Sequence, residues 1–219
     1  MSTLYTPETI SQHPYVAEPD LAYPASLVAG FNQLRRVEEL VLEAHEEQPI
    51  DLIVGDDVSG RVPTLITHSV FRLAKAAGHI DTVPRFSFLA AGYPPIGHSP
   101  DESLWDENLR QHVRVLLGKI SAENVLIMTD QICWGRSINR IRHAFMANSV
   151  DPNYIPAQMP TLDELQKLYP KTRDRVVVGV EKSLPKPITH LHPAYNREEA
   201  AALRHFLHDY SGALYRSIF

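Results

Sequence analysis

Apolar positions along the chain follow two rhythms in alternation. Leu27, Phe31, Leu34, Val37, Val41 and Ala44 recur at three- and four-residue steps, with Glu and Arg between them, which predicts an amphipathic helix. The run Asp-Leu-Ile-Val-Gly at 51–55 is short, apolar and closed by glycine, and predicts a buried strand. A second helix follows. Pro63 suits its first turn, Leu65, Ile66, Val70, Leu73, Ala74 and Ala77 mark its inner face, and Gly78 marks its stop. Residues 85–90 read as a second strand and 91–102 as a loop rich in proline and glycine. Residues 103–118 read as a helix with Leu104, Leu109, Val113, Leu116 and Leu117 inward. The strongest strand is Asn-Val-Leu-Ile-Met-Thr-Asp at 124–130, and Ile138, Ile141 and Phe145 mark the helix after it. Beyond lie a long loop with one helix at 161–169, a strand at 175–181 and a closing helix at 196–209.

Strands that are apolar throughout and alternate with helices predict an α/β fold, a parallel sheet flanked by helices on both faces. In such a sheet the ligand lies beyond the carboxyl ends of the strands. The chemically unusual residues fall at those ends: Gly55-Asp56-Asp57, Thr129-Asp130 and Glu181-Lys182. Prolines at 7, 14, 19 and 24 interrupt residues 1–24, which read as an extended arm; residues 25–219 read as a single α/β domain.

Composition narrows the function classes. The net charge of −5 and pI near 6.1 argue against nonspecific nucleic-acid binding, which favours a basic surface. Cys133 is the only cysteine, so neither an intrachain disulfide nor a cysteine zinc cluster can form, as befits a cytoplasmic protein. No apolar run approaches the roughly 18 residues of a membrane span. His190 and His192 have no evident third metal ligand, and the Leu-Arg-Arg-Val-Glu-Glu stretch at 34–39 reads as a solvated helix face.

In Thr129-Asp130-Gln131-Ile132-Cys133-Trp134-Gly135-Arg136-Ser137 a strand end feeds a tight loop and then a helix. Such a loop aims several N–H groups at one point, and the helix dipole adds positive potential there, which suits a phosphate. The alternative is plainer, with Asp130 ending the strand and Ser137 capping the helix.

The stretch 125–138 resembles the phosphoribosyl-pyrophosphate signature of the type I phosphoribosyltransferases: an apolar strand, two acids, two spacers, Thr-Gly-Gly-Thr and a helix. Thr129 stands for the first acid and Asp130 for the second. Trp134 replaces the first Thr, Gly135 matches a glycine, Arg136 replaces the second glycine and Ser137 the last Thr. Upstream, residues 51–66 resemble the family's first strand and its pyrophosphate loop. That loop usually reads Arg-Gly-Gly; here it reads Ser59-Gly60-Arg61. The resemblance spans roughly residues 35–182. It implies a phosphoribosyltransferase-like sheet with a small hood, and a further core strand whose place is between Ala147 and Pro156.

What the resemblance implies chemically is binding of phosphoribosyl pyrophosphate or a related ribose phosphate, with transfer to an acceptor through a sugar cation. A noncatalytic member of the same fold, sensing a nucleotide or serving a regulatory role, is the alternative. Asp130 would be the catalytic carboxylate, gripping a ribose hydroxyl beside Thr129. Cys133, Trp134, Gly135, Arg136 and Ser137 would hold the 5′-phosphate. Asp57, Val58, Ser59, Gly60 and Arg61 would face the pyrophosphate, with Mg²⁺ bridged by Asp56 and Asp57. Losing one acid forfeits a contact worth about 1.5–3 kcal/mol. Dimers are common in the family, so the resemblance allows a homodimer, while the sequence itself leaves the oligomeric state open.

Overall fold

The structure is a computed structural model and describes residues 5–16, 27–56, 60–91, 102–129, 136–156 and 197–219. Four strands form one parallel sheet: β1 (Leu52–Asp56), β2 (Arg85–Leu89), β3 (Val125–Thr129) and β4 (Asn153–Pro156), in the order β2-β1-β3-β4. The helices are α1 (Phe31–Glu47), α2 (Arg61–Ala77), α3 (Glu102–Lys119), α4 (Arg136–Met146) and α5 (Arg197–Ile218). The expected α/β character with a parallel sheet is therefore present. The strand sought between Ala147 and Pro156 is there as β4, at an edge of the described sheet. The helix expected at 161–169 and the strand expected at 175–181 lie outside the described residues.

Period-two alternation sorts the strand side chains onto two faces. Ile53, Leu126 and Met128 join one core with α1, α2 and α5. Leu52, Val54, Val125 and Ile127 join the other with α3 and α4. From β1 the chain runs through α2 to the edge strand β2, then returns past β1 to β3 and continues outward to β4. The direction of winding reverses between β1 and β3, which makes the gap between their carboxyl ends the topological switch point.

Polar groups fasten the opposite end of the sheet. The Asp51 carboxylate accepts the Glu123 and Asn124 N–H groups at 2.9 Å each. The Asn124 side-chain amide donates to the Gln48 and Pro49 carbonyls and accepts from Asn153. These bonds set the register of β1, β3 and β4. Gly78 stops α2 as expected, at φ 81°, where its N–H reaches back to the last turn.

Four sequence expectations are corrected. Strand β2 is not buried throughout: Arg85 and Phe86 are exposed because β2 lies at an edge of the described sheet. Leu104 is exposed, since it sits about 140° around the helix from Leu109 and off the face that Leu109 and Val113 bury. Ala77, in the last turn of α2, is also exposed. Helix α5 passes the expected end at 209 and runs to Ile218, because Tyr210, Ala213 and Leu214 continue its buried stripe. Within this extension Ser211 donates to the Leu207 carbonyl, one turn back.

The arm is seated on the domain over residues 5–16. Two single-turn 3₁₀ segments, Ile10–Gln12 and Pro14–Val16, bring Ile10 and Tyr15 into the core beside α5.

Candidate functional site

Strands β1 and β3 pair in parallel with Leu52 opposite Val125 and Gly55 opposite Met128. Asp56 and Thr129 therefore end level with each other, about 5 Å apart across the pair. Both belong to the alternation that faces α3 and α4, and both are buried, at 7% and 1% exposure. Asp56 is thus not part of a solvated turn.

The start of α2 is held directly over this crevice by Gly60. A Cβ on Gly60 would lie 2.2 Å from the Asp56 nitrogen and 2.3 Å from the Met128 carbonyl oxygen. The Gly60 backbone thus rests on the backbones of both central strands, an approach that only glycine permits. Gly55 is crowded in the same way, with its absent Cβ 2.7 Å from the Phe88 ring and 2.8 Å from Thr64 Oγ1. Gly60 is also the N-cap of α2 and provides no side-chain cap, so the first amides of that helix rely on other partners. Helix α4 is the next described element after β3 and opens at Arg136, with Ser137 half-buried in its first turn. The amino terminus of α2, held at the crevice through Gly60, brings positive potential to its rim, where an anion would sit.

The sequence-predicted residues divide as follows. Asp56, Gly60 and Thr129 come together at the carboxyl ends of β1 and β3, and Arg136 and Ser137 open α4. Arg61 opens α2, exposed, with its guanidinium carbon 5.5 Å from the centre of the Phe88 ring on the β2 side. Asp57, Val58, Ser59, Asp130, Cys133, Trp134 and Gly135 lie outside the described residues, as do His190 and His192. The Asp56 carboxylate supplies the hard oxygen that Mg²⁺ prefers, and Mg²⁺ commonly binds through one or two carboxylates plus ligand phosphates.

Sequence reasoning passed over two polar residues, Thr64 and Arg140, and misplaced a third, Glu38. Thr64 is fully buried, and its hydroxyl has no hydrogen-bond partner among the described residues. Arg140, one turn into α4, donates to the Asp106 carboxylate at 2.7 Å and to the Ala91 carbonyl, tying α4 to α3 and to the end of β2. Glu38 overturns the reading of 34–39 as a solvated face. It is wholly buried, accepts a 2.7 Å hydrogen bond from the Thr67 hydroxyl, and has its pKa pushed up to about 8 by burial. Its place was legible: Glu38 follows Phe31 by seven residues and Leu34 by four, on the apolar stripe.

A hollow of about 200 Å³ lies at the amino ends of the strands, lined by Gln48, Ile50, Asn124 and Asn153 among others. It is at the wrong end of a parallel sheet for a ligand and among the bonds that fix strand register. Among the described residues no helix is long and apolar enough to cross a membrane. No family model, curated protein or solved structure matches the chain.

Proposed function

We propose that the crevice between the carboxyl ends of β1 and β3 binds phosphoribosyl pyrophosphate or a related ribose phosphate, in a fold of the type I phosphoribosyltransferase kind. One observation carries this reading. The loops after β1 and β3, chosen from sequence as the pyrophosphate and ribose-phosphate loops, depart from paired strands at the switch point, with Gly60 seated against both. A ligand with phosphate at two ends needs two anion sites spaced across a sugar; the α2 amino terminus at the crevice supplies one, and the other is assigned in this reading to the amino end of α4, the next described helix after β3.

In this reading the amides opening α2 take the pyrophosphate and those of residues 133–137 take the 5′-phosphate. Asp130 grips the ribose, and Asp56 with Asp57 holds Mg²⁺. The ion supplies charge neutralisation of the leaving group. Transfer to an acceptor follows if the single remaining acid suffices to orient the sugar.

A second reading is favoured by Thr129. It is buried where the signature has its first acid, so the ribose clamp has one carboxylate instead of two. That suits a protein of this fold that binds a nucleotide without turning it over.

Calorimetry with phosphoribosyl pyrophosphate tests the binding. We expect saturable heat that depends on Mg²⁺ and an affinity at least tenfold weaker in Asp130→Asn. Absence of heat with and without Mg²⁺ removes the reading. Pyrophosphate release on adding candidate acceptors separates the transferase from the sensor, which binds saturably and releases none.

A further inference from the structure

His13 and Tyr15 of the arm and His205, Phe206 and Asp209 of α5 form a polar knot set in aromatic surroundings. His13 is buried, edge-on to Phe206 at 5.1 Å and 4.8 Å from the Tyr5 ring. Its Nε2 lies 3.4 Å from Asp209 Oδ2, and His205 Nδ1 lies 3.5 Å from the same oxygen. All three ligand atoms fall within 4.8 Å of one another.

Both His–Asp separations are long for charge-assisted hydrogen bonds, which run about 2.7–2.9 Å. They match another geometry, with the two imidazole nitrogens, within 4.8 Å of each other, closing on the ion as it binds. Donors at about 2.0–2.1 Å from one tetrahedral ion are separated by roughly 3.3–3.4 Å. His205 and Asp209 are one turn apart on α5, so the helix presents both to one point, and His13 adds the third donor from a different segment. Two imidazoles and a carboxylate are a donor set for zinc-class ions rather than for Mg²⁺ or Ca²⁺. His205 is exposed, which leaves the fourth position to water.

We propose that His13, His205 and Asp209 form a binding site for a divalent ion of the zinc class, which clamps the arm to α5. The site is independent of the crevice at β1 and β3.

One contact sets the cost of loading. His13 Nδ1 accepts the Tyr15 N–H at 3.1 Å, so the ion-free ring carries its proton on Nε2, towards Asp209. Coordination through Nε2 requires that position to be deprotonated. Its proton leaves to solvent while Nδ1 takes one up, and the ring stays neutral. Nδ1–H can no longer accept from Tyr15, so that amide must find a new partner. Loading therefore alters the turn at Pro14–Val16.

The test uses the untagged full chain. Titration with Co²⁺ should give the ligand-field absorption of a tetrahedral site, displaced by Zn²⁺ at one ion per chain. His205→Ala, at an exposed position where the fold should stand, should weaken Zn²⁺ binding at least tenfold, and Asp209→Asn should do likewise. The Tyr15 amide resonance should shift on loading. Absence of cobalt bands overturns the proposal. So does Zn²⁺ affinity unchanged in His205→Ala, which would assign the ion to other histidines.

Discussion

Gly60 has an ordinary backbone conformation, φ −80°, so its requirement for glycine is one of space alone. The atoms a Cβ would strike belong to backbone, which cannot rotate aside as a side chain can. Gly60→Ala should therefore destabilise the protein at the upper end of the roughly 1–3 kcal/mol typical of overpacking. Urea unfolding checks this, as a lower midpoint with an unchanged slope. The sequence marked Gly60 through its motif, not through its contact with β3. The sequence holds no local sign that residues 56, 60 and 128 meet, because that depends on how β1 and β3 pair. Thr64 was illegible for the same reason, since a threonine on an apolar helix stripe reads as a near-isostere of valine. Glu38 could have been found, because helical spacing alone places it inward.

Among the elements, the central strands and α2 were readable because each carries an unbroken apolar run or a clean stripe ended by a turn residue. β4 was not readable as a strand: four residues including a proline give no alternation, and only pairing with β3 defines it. α5 was read only to 209; burial of Tyr210, Ala213 and Leu214 carries it past Ser211 and Gly212, where tertiary packing overrides propensity. The far half of α5 contributes the Tyr210 hydroxyl, which donates to the Leu27 carbonyl at 2.7 Å across the core. Tyr210→Phe keeps the ring packed against Phe31 and Phe206 but strands that carbonyl. It should cost about 1–3 kcal/mol. Equilibrium urea unfolding of the variant against the parent measures the difference.

For the whole molecule, buried titratable groups set opposing slopes with pH. His45 and His68 are held below their ordinary value of 6.5 by burial, so the unfolded chain takes up protons more readily. Stability from them is full above that value and lost as pH falls through it. Glu38 acts in reverse. Its folded pKa of about 8 lies above the ordinary 4.5, so its contribution is full below 4.5 and lost as pH rises towards 8. The slope from Glu38 approaches about 1.4 kcal/mol per pH unit. Between 4.5 and 6.5 the two slopes therefore oppose each other, and above 6.5 the Glu38 decline stands alone until about pH 8. Glu38→Gln retains an acceptor for Thr67 and should turn the decline between pH 6.5 and about 8 into a plateau, as urea titrations across this range would reveal.

The sheet also divides the interior unevenly. Among the described residues, the side under α1, α2 and α5 holds nearly twice as many buried apolar side chains as the side under α3 and α4. The smaller side is therefore the one whose amides should surrender deuterium first, in a partial opening that leaves the larger side closed. Asp56 and Thr129 face that smaller side, so an opening of this kind would expose the floor of the crevice while the register of its strands persists.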